Sequence, residues 1–413
     1  MTKGLHIINH CEVCGGKELR KVLDLGAHPM CDDLVAIGED RQCREYPIEI
    51  LFCDRCITAH QRYQIPKQEL FPSTYHYRSR HTADVIAGME QLVAACSGEL
   101  GSLADKIVLD VGCNDGSLLT KFREAGARTY GIEPTGAAFD AQAAGHNVLN
   151  DFLSEEVAAN FVEKNGHPDI ITFTNVFAHI EDLAAVIRSL LVLAHKQTTI
   201  VIENHYLGAI VERRQFDTFY HEHPRTYSYT SFTFIAESLG GRIAKLEFPS
   251  RYGGNIRVFI QPTENDEKVH DRWNEVHNRE QNFGAMLEQM EHDIAAWKTA
   301  KKAELENELA KRGKLVAKAF PGRAAIPIKL LNLDETMISA VYEKPASAKI
   351  GHFVPGTRIP IRSDDEFDPT TESGPIINMA WHISSEIEAY MRDRGYRGQL
   401  IDIIAPGDFP ENR

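Results

Sequence analysis

Residues 107 to 133 contain the pattern that most restricts how this chain can fold. An apolar run, Ile107–Val111, leads into the glycine-bounded loop Gly112–Gly116 and a helix-like pattern, and a second predicted strand, Arg128–Glu133, ends in a carboxylate. Glycines let the loop backbone pass close to a ligand and turn into the helix. A carboxylate at the end of the second strand is placed to bind a ribose diol. The pattern therefore predicts an α/β fold with a Rossmann-type nucleoside site.

The composition of the loop indicates which nucleoside is bound. A dinucleotide site would have the pattern G-x-G-x-x-G, with helix N-terminal amides facing a pyrophosphate. Here the loop carries Asp115, whose negative charge disfavours a diphosphate and suits a ligand with positive charge. S-adenosylmethionine, with its sulfonium and amino groups, meets that demand. The competing interpretation is a strand–turn–helix without a ligand, which the spacing of Glu133 disfavours.

Length, charge and hydropathy exclude several classes of protein. A chain of 413 residues is too long for one core, and 43% hydrophobic and 25% charged residues are typical of globular domains. The formal net charge of −14 argues against a nucleic-acid partner. Because no apolar run is long enough to span a membrane and the N-terminus lacks a secretory apolar core, we expect no membrane association and a cytoplasmic location.

Two C-x-x-C pairs near the N-terminus predict a structural zinc site. Cys11 and Cys14 form the first pair, and Cys53 and Cys56 form the second. Four thiolates complete a closed tetrahedral zinc site, whereas the competing interpretation, a redox dithiol, needs only one pair. With no ligand position left open, the zinc ion should stabilise the fold and take no part in catalysis.

The predicted elements divide the chain into three parts. These are a zinc-binding module over residues 1–74, a Rossmann-like domain for S-adenosylmethionine over 75–262, and a second Rossmann-like α/β domain with a helical lead-in over 263–413. Further elements of the second part are predicted as strands at 169–175 and 199–203 and a helix at 183–193. In the third part, a helix with a solvated face is predicted over 264–318, followed by strands at 338–343, 376–379 and 400–404.

The densest group of titratable side chains outside the loop is Tyr220-His-Glu-His223. On an extended segment Tyr220 and Glu222 would share one side and the two histidines the other, whereas a turn could gather three of the four. One histidine acting as a general base beside a carboxylate is one interpretation. Metal binding by His221, Glu222 and His223 and a histidine-rich surface loop are the alternatives.

Taken in order, these motifs resemble one family, the zinc-containing sugar C-methyltransferases that act on nucleotide-linked 4-keto-deoxysugars. The resemblance spans nearly the whole chain. It rests on the two cysteine pairs and on the segments Tyr75–Ser79, Val111–Leu119, Glu133–Pro134, Asn175–Asp182, Tyr220–His223, Tyr252–Arg257 and Phe353–Ile361.

The resemblance implies methyl transfer from S-adenosylmethionine to C3 of the sugar through an enolate. His223 would be the base, and Glu222, Tyr220 and Tyr77 would orient it or stabilise the enolate oxygen. The residues implied for the cofactor are Gly112, Asn114, Asp115, Gly116, Glu133 and Asn175, and those for the zinc ion are Cys11, Cys14, Cys53 and Cys56. We expect a monomer whose partner is the nucleotide-linked keto-sugar.

One C-terminal segment departs from the family pattern. A lysine, a glycine and an asparagine that family members carry are replaced by Ile326, Pro327 and Ile328. Arg323 and Lys329 could supply charge toward a diphosphate or lie solvated on the surface. The departure leaves two alternatives open: methyl transfer to oxygen or nitrogen of a related sugar or small metabolite, and a non-catalytic zinc- and nucleotide-binding protein.

Overall fold

The N-terminal part is built on an antiparallel sheet. The computed structural model describes residues 4–71, 78–81, 83–262, 273–372 and 374–409. The first elements are β1 (His6–Ile7), β2 (Arg20–Pro29), β3 (Val35–Ala36), β4 (Glu45–Cys53), β5 (Thr58–Gln61), β6 (Tyr63–Gln64) and α1 (Lys67–Leu70). Alternate residues of β4, among them Ile48, Ile50 and Phe52, are buried, as expected where one face of a strand packs on the core.

The central part is a doubly wound sheet. Its elements are α2 (Ala83–Leu100), β7 (Ile107–Val111), α3 (Ser117–Glu124), β8 (Arg128–Ile132), α4 (Ala137–Ala143), β9 (Asn147–Leu149), α5 (Glu155–Asn165), β10 (Ile170–Thr174), α6 (Leu183–Leu193), β11 (Thr199–His205), α7 (Leu207–Arg213), β12 (Arg225–Thr226), α8 (Tyr229–Ser238), β13 (Gly241–Glu247) and β14 (Asn255–Pro262). The strand order is β13-β14-β11-β10-β7-β8-β9, and β14 runs antiparallel to both of its neighbours.

The strands at the centre of this sheet follow directly from their sequence. Both β7 and β10 are short runs rich in isoleucine and valine, and nearly every residue is buried. Such continuous apolar runs are typical of parallel strands covered by helices on both faces. The predicted strand Ile107–Val111 and helix Leu183–Leu193 are confirmed at both ends.

The C-terminal part contains a second, smaller doubly wound sheet. Its elements are α9 (Asn274–Glu280), α10 (Phe283–Arg312), β15 (Leu315–Lys318), α11 (Ala325–Leu330), β16 (Ile338–Glu343), β17 (His352–Phe353), β18 (Ile361–Ser363), β19 (Ile376–Asn378), α12 (Ser384–Asp393) and β20 (Leu400–Asp402). The strand order is β18-β16-β15-β19-β20, and all neighbouring pairs are parallel. The α/β fold class with two Rossmann-like sheets is confirmed.

The end of the long helix differs from the sequence prediction. We predicted helix as far as residue 318, but α10 ends at Arg312. The next residue, Gly313, has a φ of 81°, and the four residues of strand β15 follow. A glycine in the left-handed region commonly terminates a helix. The strand Leu315–Lys318 is mostly buried between β16 and β19, and this tertiary setting overrides the helical composition of the preceding segment.

Strand pairing joins the three parts. Strand β12 of the central part extends the N-terminal sheet by pairing with β5, and β17 of the C-terminal part pairs with β3. One hydrophobic cluster includes residues of all three parts, such as Phe52, Ile202 and Ile328. Within the described ranges, no helix combines the length and the apolar character needed to cross a membrane.

Candidate active site

A cavity of about 880 Å³ lies where the three parts meet. It is lined by the ends of β7, β8 and β10, by the segments that follow β15 and β16, and by residues around Cys31 in the N-terminal module. In open α/β sheets, ligands bind at the carboxyl ends of strands, where the strand order reverses. The order reverses at β7 in the larger sheet and at β15 in the smaller one, so both reversal points serve the same cavity.

The glycine-bounded loop lies at the wall of this cavity. Gly112 has a φ of 72°, and a Cβ added there would lie 2.5 Å from Val176 Cγ2, so only glycine fits. The N–H of Asn114 donates to Glu133 Oε2 at 3.0 Å, and the other carboxylate oxygen accepts from the N–H and hydroxyl of Thr135 at 2.8 and 2.6 Å. Gly112, Asn114 and Glu133 all line the cavity.

Asp115 and Gly116 shape the loop and do not line the cavity. We expected Asp115 to face a cationic ligand, but its Oδ1 accepts from the N–H and hydroxyl of Ser117 at 3.2 and 2.6 Å, and its Oδ2 accepts from the N–H of Arg80 at 3.0 Å. These bonds occupy both oxygens of the buried carboxylate. Gly116 has a φ of 78° at the start of α3, where a Cβ would lie 2.8 Å from His146 Cδ2.

Asn175 lies on the cavity wall at the end of β10. Its φ of 54° places it in the left-handed region, which asparagine tolerates better than most residues. Its N–H donates to the carbonyl of Glu203 at 2.7 Å, and its Oδ1 accepts from Asn255 Nδ2 at 3.3 Å. These bonds anchor the segment that continues to His179.

The cavity wall fits S-adenosylmethionine at the end of the larger sheet. Glu133 is a buried carboxylate that could hold the ribose hydroxyls, and Gly112, packed against Val176, keeps the loop backbone at the cavity wall. Ile132, Phe152 and Leu153 add apolar lining next to Glu133, which suits an adenine ring.

A turn brings three of the four residues of the Tyr220–His223 segment to the cavity. In this turn the N–H of His223 donates to the carbonyl of Tyr220 at 3.0 Å. Three residues of the turn, Tyr220, Glu222 and His223, line the cavity. His221 points to the opposite side, where its Nε2 lies 3.0 Å from the carbonyl oxygen of Tyr46. Because His221 is turned away and His223 is 6% exposed, neither a metal site shared by both histidines nor a surface loop fits the structure.

His223 is held in the form required of a base. Its Nδ1 lies 3.0 Å from the carbonyl oxygen of Thr218, which can only accept, so Nδ1 carries the proton and Nε2 is left with a free lone pair. The rings of His179 and His205 lie 4.8 and 5.4 Å away. Burial, aided by the charges of His179, His205 and Arg323, lowers the pKa of His223 well below its usual value. The imidazole is therefore neutral near pH 7.

Tyr220 and Glu222 present protons to the same cavity. The Tyr220 ring lies 4.2 Å from that of His223, and burial raises the pKa of the hydroxyl well above its usual value. Burial and the neighbouring charge of Asp32 also raise the pKa of Glu222. Both groups are thus suited to donate hydrogen bonds to a developing oxyanion. The remaining expected member, Tyr77, lies outside the described residues.

Sequence reasoning missed several residues of the cavity wall. His179 belongs to one of the motifs on which the resemblance rests, but we assigned it no role. His205 belongs to none of these motifs. Both pack on the ring of His223. The only sequence sign of His205 is its position two residues after the predicted strand 199–203, near the strand end where side chains of a doubly wound sheet face ligands.

The altered C-terminal segment lies differently from what the sequence suggested. Arg323 is buried and lines the cavity, whereas Lys329 forms an ion pair with Glu45 outside it. Ile326 and Ile328 are buried in the core and do not line the cavity. These two departures from the family pattern therefore lie in the core, outside the wall of the cavity.

The four cysteines of the two pairs converge on one point. The Sγ atoms of Cys11 and Cys56 are 3.3 Å apart, those of Cys14 and Cys53 are 3.6 Å apart, and all four lie within 4.8 Å of one another. A tetrahedral zinc site with Zn–S bonds of about 2.3 Å separates its sulfurs by about 3.8 Å, so the cluster fits a zinc ion. None of the four lines the cavity, in agreement with a structural role.

Three protein-family models match successive parts of the chain. They are described as "Putative zinc binding domain" for residues 11–71, "Methyltransferase domain" for 79–245 and "C-methyltransferase C-terminal domain" for 250–404. The C-methyltransferase NovU of Streptomyces niveus is 27% identical over 386 residues, which are 92% of this chain and 91% of that protein.

Two further similarities cover less of the chain. The ubiquinone biosynthesis O-methyltransferase of Bordetella parapertussis is 34% identical over 97 residues, which are 23% of this chain and 40% of that protein. Among solved structures, the magnesium protoporphyrin IX methyltransferase of Synechocystis PCC 6803 with bound SAH superimposes with a TM-score of 0.35 and 19% identity, over 43% of this chain and 83% of that one.

Proposed function

Since the chain belongs to the S-adenosylmethionine-dependent C-methyltransferases that carry a zinc-binding domain, we propose that its acceptor is a nucleotide-linked 4-keto-deoxysugar methylated at C3. The similarity to NovU over 92% of the chain supports a shared type of chemistry. The cavity between two Rossmann-like sheets supports an acceptor with a nucleotide portion, because each sheet offers one reversal point for a ligand.

The observation that carries the proposal is the 3.0 Å contact between His223 Nδ1 and the carbonyl oxygen of Thr218. A methyl group is transferred to carbon only if the carbon first becomes nucleophilic, which requires removal of a proton next to a carbonyl. The bond from Nδ1 to the carbonyl of Thr218 leaves the lone pair on Nε2, and the ring lines the cavity that Gly112 and Glu133 also line.

The residues of the cavity perform the remaining steps. His223 Nε2 takes the proton from C3, and the negative charge moves to the C4 oxygen, where the hydroxyl of Tyr220 or the protonated carboxyl of Glu222 donates a hydrogen bond. S-adenosylmethionine, when bound, would supply an electrophilic methyl group: the bond to C3 forms as the S–CH₃ bond breaks, and neutral S-adenosylhomocysteine is left. A substrate that fills the cavity between the three parts would displace water that could otherwise reprotonate the enolate.

Cofactor binding is assigned to the wall around β7, β8 and β10. Glu133 would accept from the ribose hydroxyls, and Gly112, Asn114 and Asn175 would approach the amino acid part with their backbones and amides. Asp115 and Gly116 keep their place in the proposal as residues that hold the loop in shape.

Incubation with S-adenosylmethionine and a panel of dTDP-, GDP- and CDP-linked 4-keto-deoxysugars tests the proposal. One member of the panel should gain the mass of one methyl group, and His223→Asn should lower the rate by about 10²- to 10⁴-fold, the usual contribution of a general base. His221→Asn is the matched control, because this adjacent buried histidine points away from the cavity.

Two outcomes would contradict the proposal. Methyl transfer to oxygen needs no carbon acid, so near-full activity of His223→Asn would exclude proton abstraction by this residue. No mass gain with any member of the panel, by a protein that binds S-adenosylhomocysteine in calorimetry, would exclude this class of acceptor.

A further inference from the structure

The geometry points to Arg323 of the C-terminal part as the residue that positions His223 of the central part, an inference that rests on the proposed role of His223 as the base. Arg323 follows β15, the strand at which the order of the smaller sheet reverses, and it is 8% exposed. Its guanidinium is directed at the short 3-10 turn Phe216–Thr218, which lies just before the Tyr220–His223 turn.

The guanidinium makes several bonds to that short turn. Nε donates to Asp217 Oδ2 at 2.8 Å, and Nη2 donates to Asp217 Oδ1 at 2.6 Å and to Thr218 Oγ1 at 2.8 Å. Trp381, also in the C-terminal part, donates its indole N–H to the same Asp217 carboxylate at 2.8 Å. A planar guanidinium bound through two nitrogens fixes its partner in distance and in angle.

Thr218 connects this contact to the base. Its hydroxyl accepts from Arg323, and its carbonyl accepts from His223 Nδ1 at 3.0 Å. A shift of this residue would therefore change the direction of the Nδ1 bond and with it the aim of Nε2. Because misplacement of a catalytic group by about 1 Å can cost about 10²-fold in rate, this one connection is able to govern turnover.

The arrangement couples the two sheets in function. The smaller sheet would set the aim of the base through the Arg323–Asp217 ion pair, which is buried on both sides. His223 is then fully aligned only when the C-terminal part is seated against the central part. The groups that face the His223 ring are Tyr220, His179 and His205, and the Arg323 charge acts on it from the C-terminal side.

Variants on both sides of the ion pair test the inference. We expect Arg323→Gln and Asp217→Asn each to lower kcat by about 10- to 100-fold with little change in the KM for S-adenosylmethionine. The double variant should be no slower than the slower single variant, because both changes break the same connection. Arg323→Lys should recover part of the loss, since one ammonium can reach one of the acceptors.

Arg214→Gln is the matched control. Arg214 forms an ion pair with Asp293 at 2.9 Å that is also buried, but it does not contact the short turn through this pair. The Arg214→Gln variant should lose about as much stability as Arg323→Gln and keep its kcat. If Arg214→Gln lowers kcat as much as Arg323→Gln, or if Arg323→Gln leaves kcat unchanged, the positioning role is wrong.

A second readout does not depend on the reaction. In nitrogen-15 NMR of histidine-labelled protein, His223 should show one tautomer, protonated at Nδ1, in the unaltered protein and in Arg214→Gln. In Arg323→Gln the same resonance should show mixed tautomers and a higher pKa, because a nearby positive charge has been removed. An unchanged His223 spectrum would overturn the inference even if the proposed acceptor also proved wrong.

Discussion

Arg225 donates through Nη1 to Glu12 Oε2 at 2.6 Å, and this bond joins the strand that follows the Tyr220–His223 turn to the first cysteine pair. Arg225 is fully buried, and Glu12 lies between Cys11 and Cys14 in the sequence. Arg225 also donates to the backbone carbonyl of Ile180. The zinc-binding module is thus bonded directly to the strand after the Tyr220–His223 turn and, through Arg225, to the segment that contains His179, so it can affect the shape of the cavity without lining it at the cysteines.

Loss of the metal should abolish activity by unfolding the N-terminal part. Cys53→Ser removes one of four thiolates, and we expect a protein with less than one zinc ion per chain, a lower melting temperature and little methyl transfer. Zinc content by plasma mass spectrometry and melting by circular dichroism measure both effects. Cys43→Ser is the control, because Cys43 lies outside the four-cysteine cluster; equal loss of zinc in this variant would contradict the assignment.

The Glu12–Arg225 pair should stabilise the fold without contributing to zinc binding. Glu12→Gln leaves the guanidinium of Arg225 buried without its anionic partner, which typically costs about 3–5 kcal/mol. Urea denaturation should show this loss, while the zinc content stays at one ion per chain. A change of less than about 1 kcal/mol would show that the pair contributes no more than an exposed ion pair does.

The pH dependence of kcat/KM should reflect the lowered pKa of His223. A base must be unprotonated, so activity is retained as long as the pH stays above its pKa. Because burial lowers the pKa of His223 below 6.5, the fall on the acid side should have its midpoint clearly below pH 6.5. Circular dichroism at each pH confirms that the fold persists. A midpoint at or above pH 6.5 would contradict the description of the site.

His221 should make stability depend on pH in a defined window. Burial, followed by the charge of His28, lowers its pKa to about 3 from a model-peptide value of 6.5. Its contribution is therefore complete above pH 6.5 and is lost as the pH falls toward 3, because the unfolded state takes up a proton that the folded state does not.

Substitution of His221 isolates this contribution from other titrating groups. Between about pH 6 and pH 4, the free energy of unfolding of His221→Gln should change less steeply than that of the unaltered protein, by roughly 1.4 kcal/mol per pH unit. Urea denaturation at several pH values measures the two slopes. Equal slopes would mean that His221 is readily protonated in the folded state.

The carboxylate at Glu133 should contribute strongly to cofactor affinity. Glu133→Gln keeps the size of the side chain but removes its charge, and hydrogen bonds to charged groups contribute about 1.5–3 kcal/mol. The Kd for S-adenosylhomocysteine should rise by roughly 10- to 100-fold in calorimetry. Gln142→Glu on α4 is the control. It also changes the charge of one side chain, but at a residue that bonds to the carbonyl of Val148 outside the cavity.

The central strands could be predicted because their sequence pattern is local and strong. Ile107–Val111 and Leu183–Leu193 match the structure at both ends, since a buried parallel strand shows as a short continuous apolar run and an amphipathic helix as a clear period. Leu315–Lys318 was missed because four residues carry too little pattern to outweigh the helical composition before them. The antiparallel strands β13 and β14 depend on pairing that no local pattern specifies.

The sequence motifs of the site could be recognised in advance, but the contacts between its side chains could not. His223 could be singled out because four titratable residues stand together, but the ring of His205 reaches it only through the assembled sheet. Asp115 was placed correctly in the loop, yet its orientation follows from donors on Ser117 and Arg80 that sequence spacing does not reveal. The link from Arg323 to Thr218 joins two domains and has no sequence sign.

Exchange of the C3 hydrogen of the acceptor tests whether His223 removes a proton from carbon. The protein is incubated in D₂O with the accepted keto-sugar and S-adenosylhomocysteine, which cannot donate a methyl group, and deuterium at C3 is followed by NMR. The unaltered protein and His221→Asn should both exchange this hydrogen, and His223→Asn should not. Equally fast exchange by His223→Asn, or no exchange by the unaltered protein, would contradict carbon methylation through a base at His223.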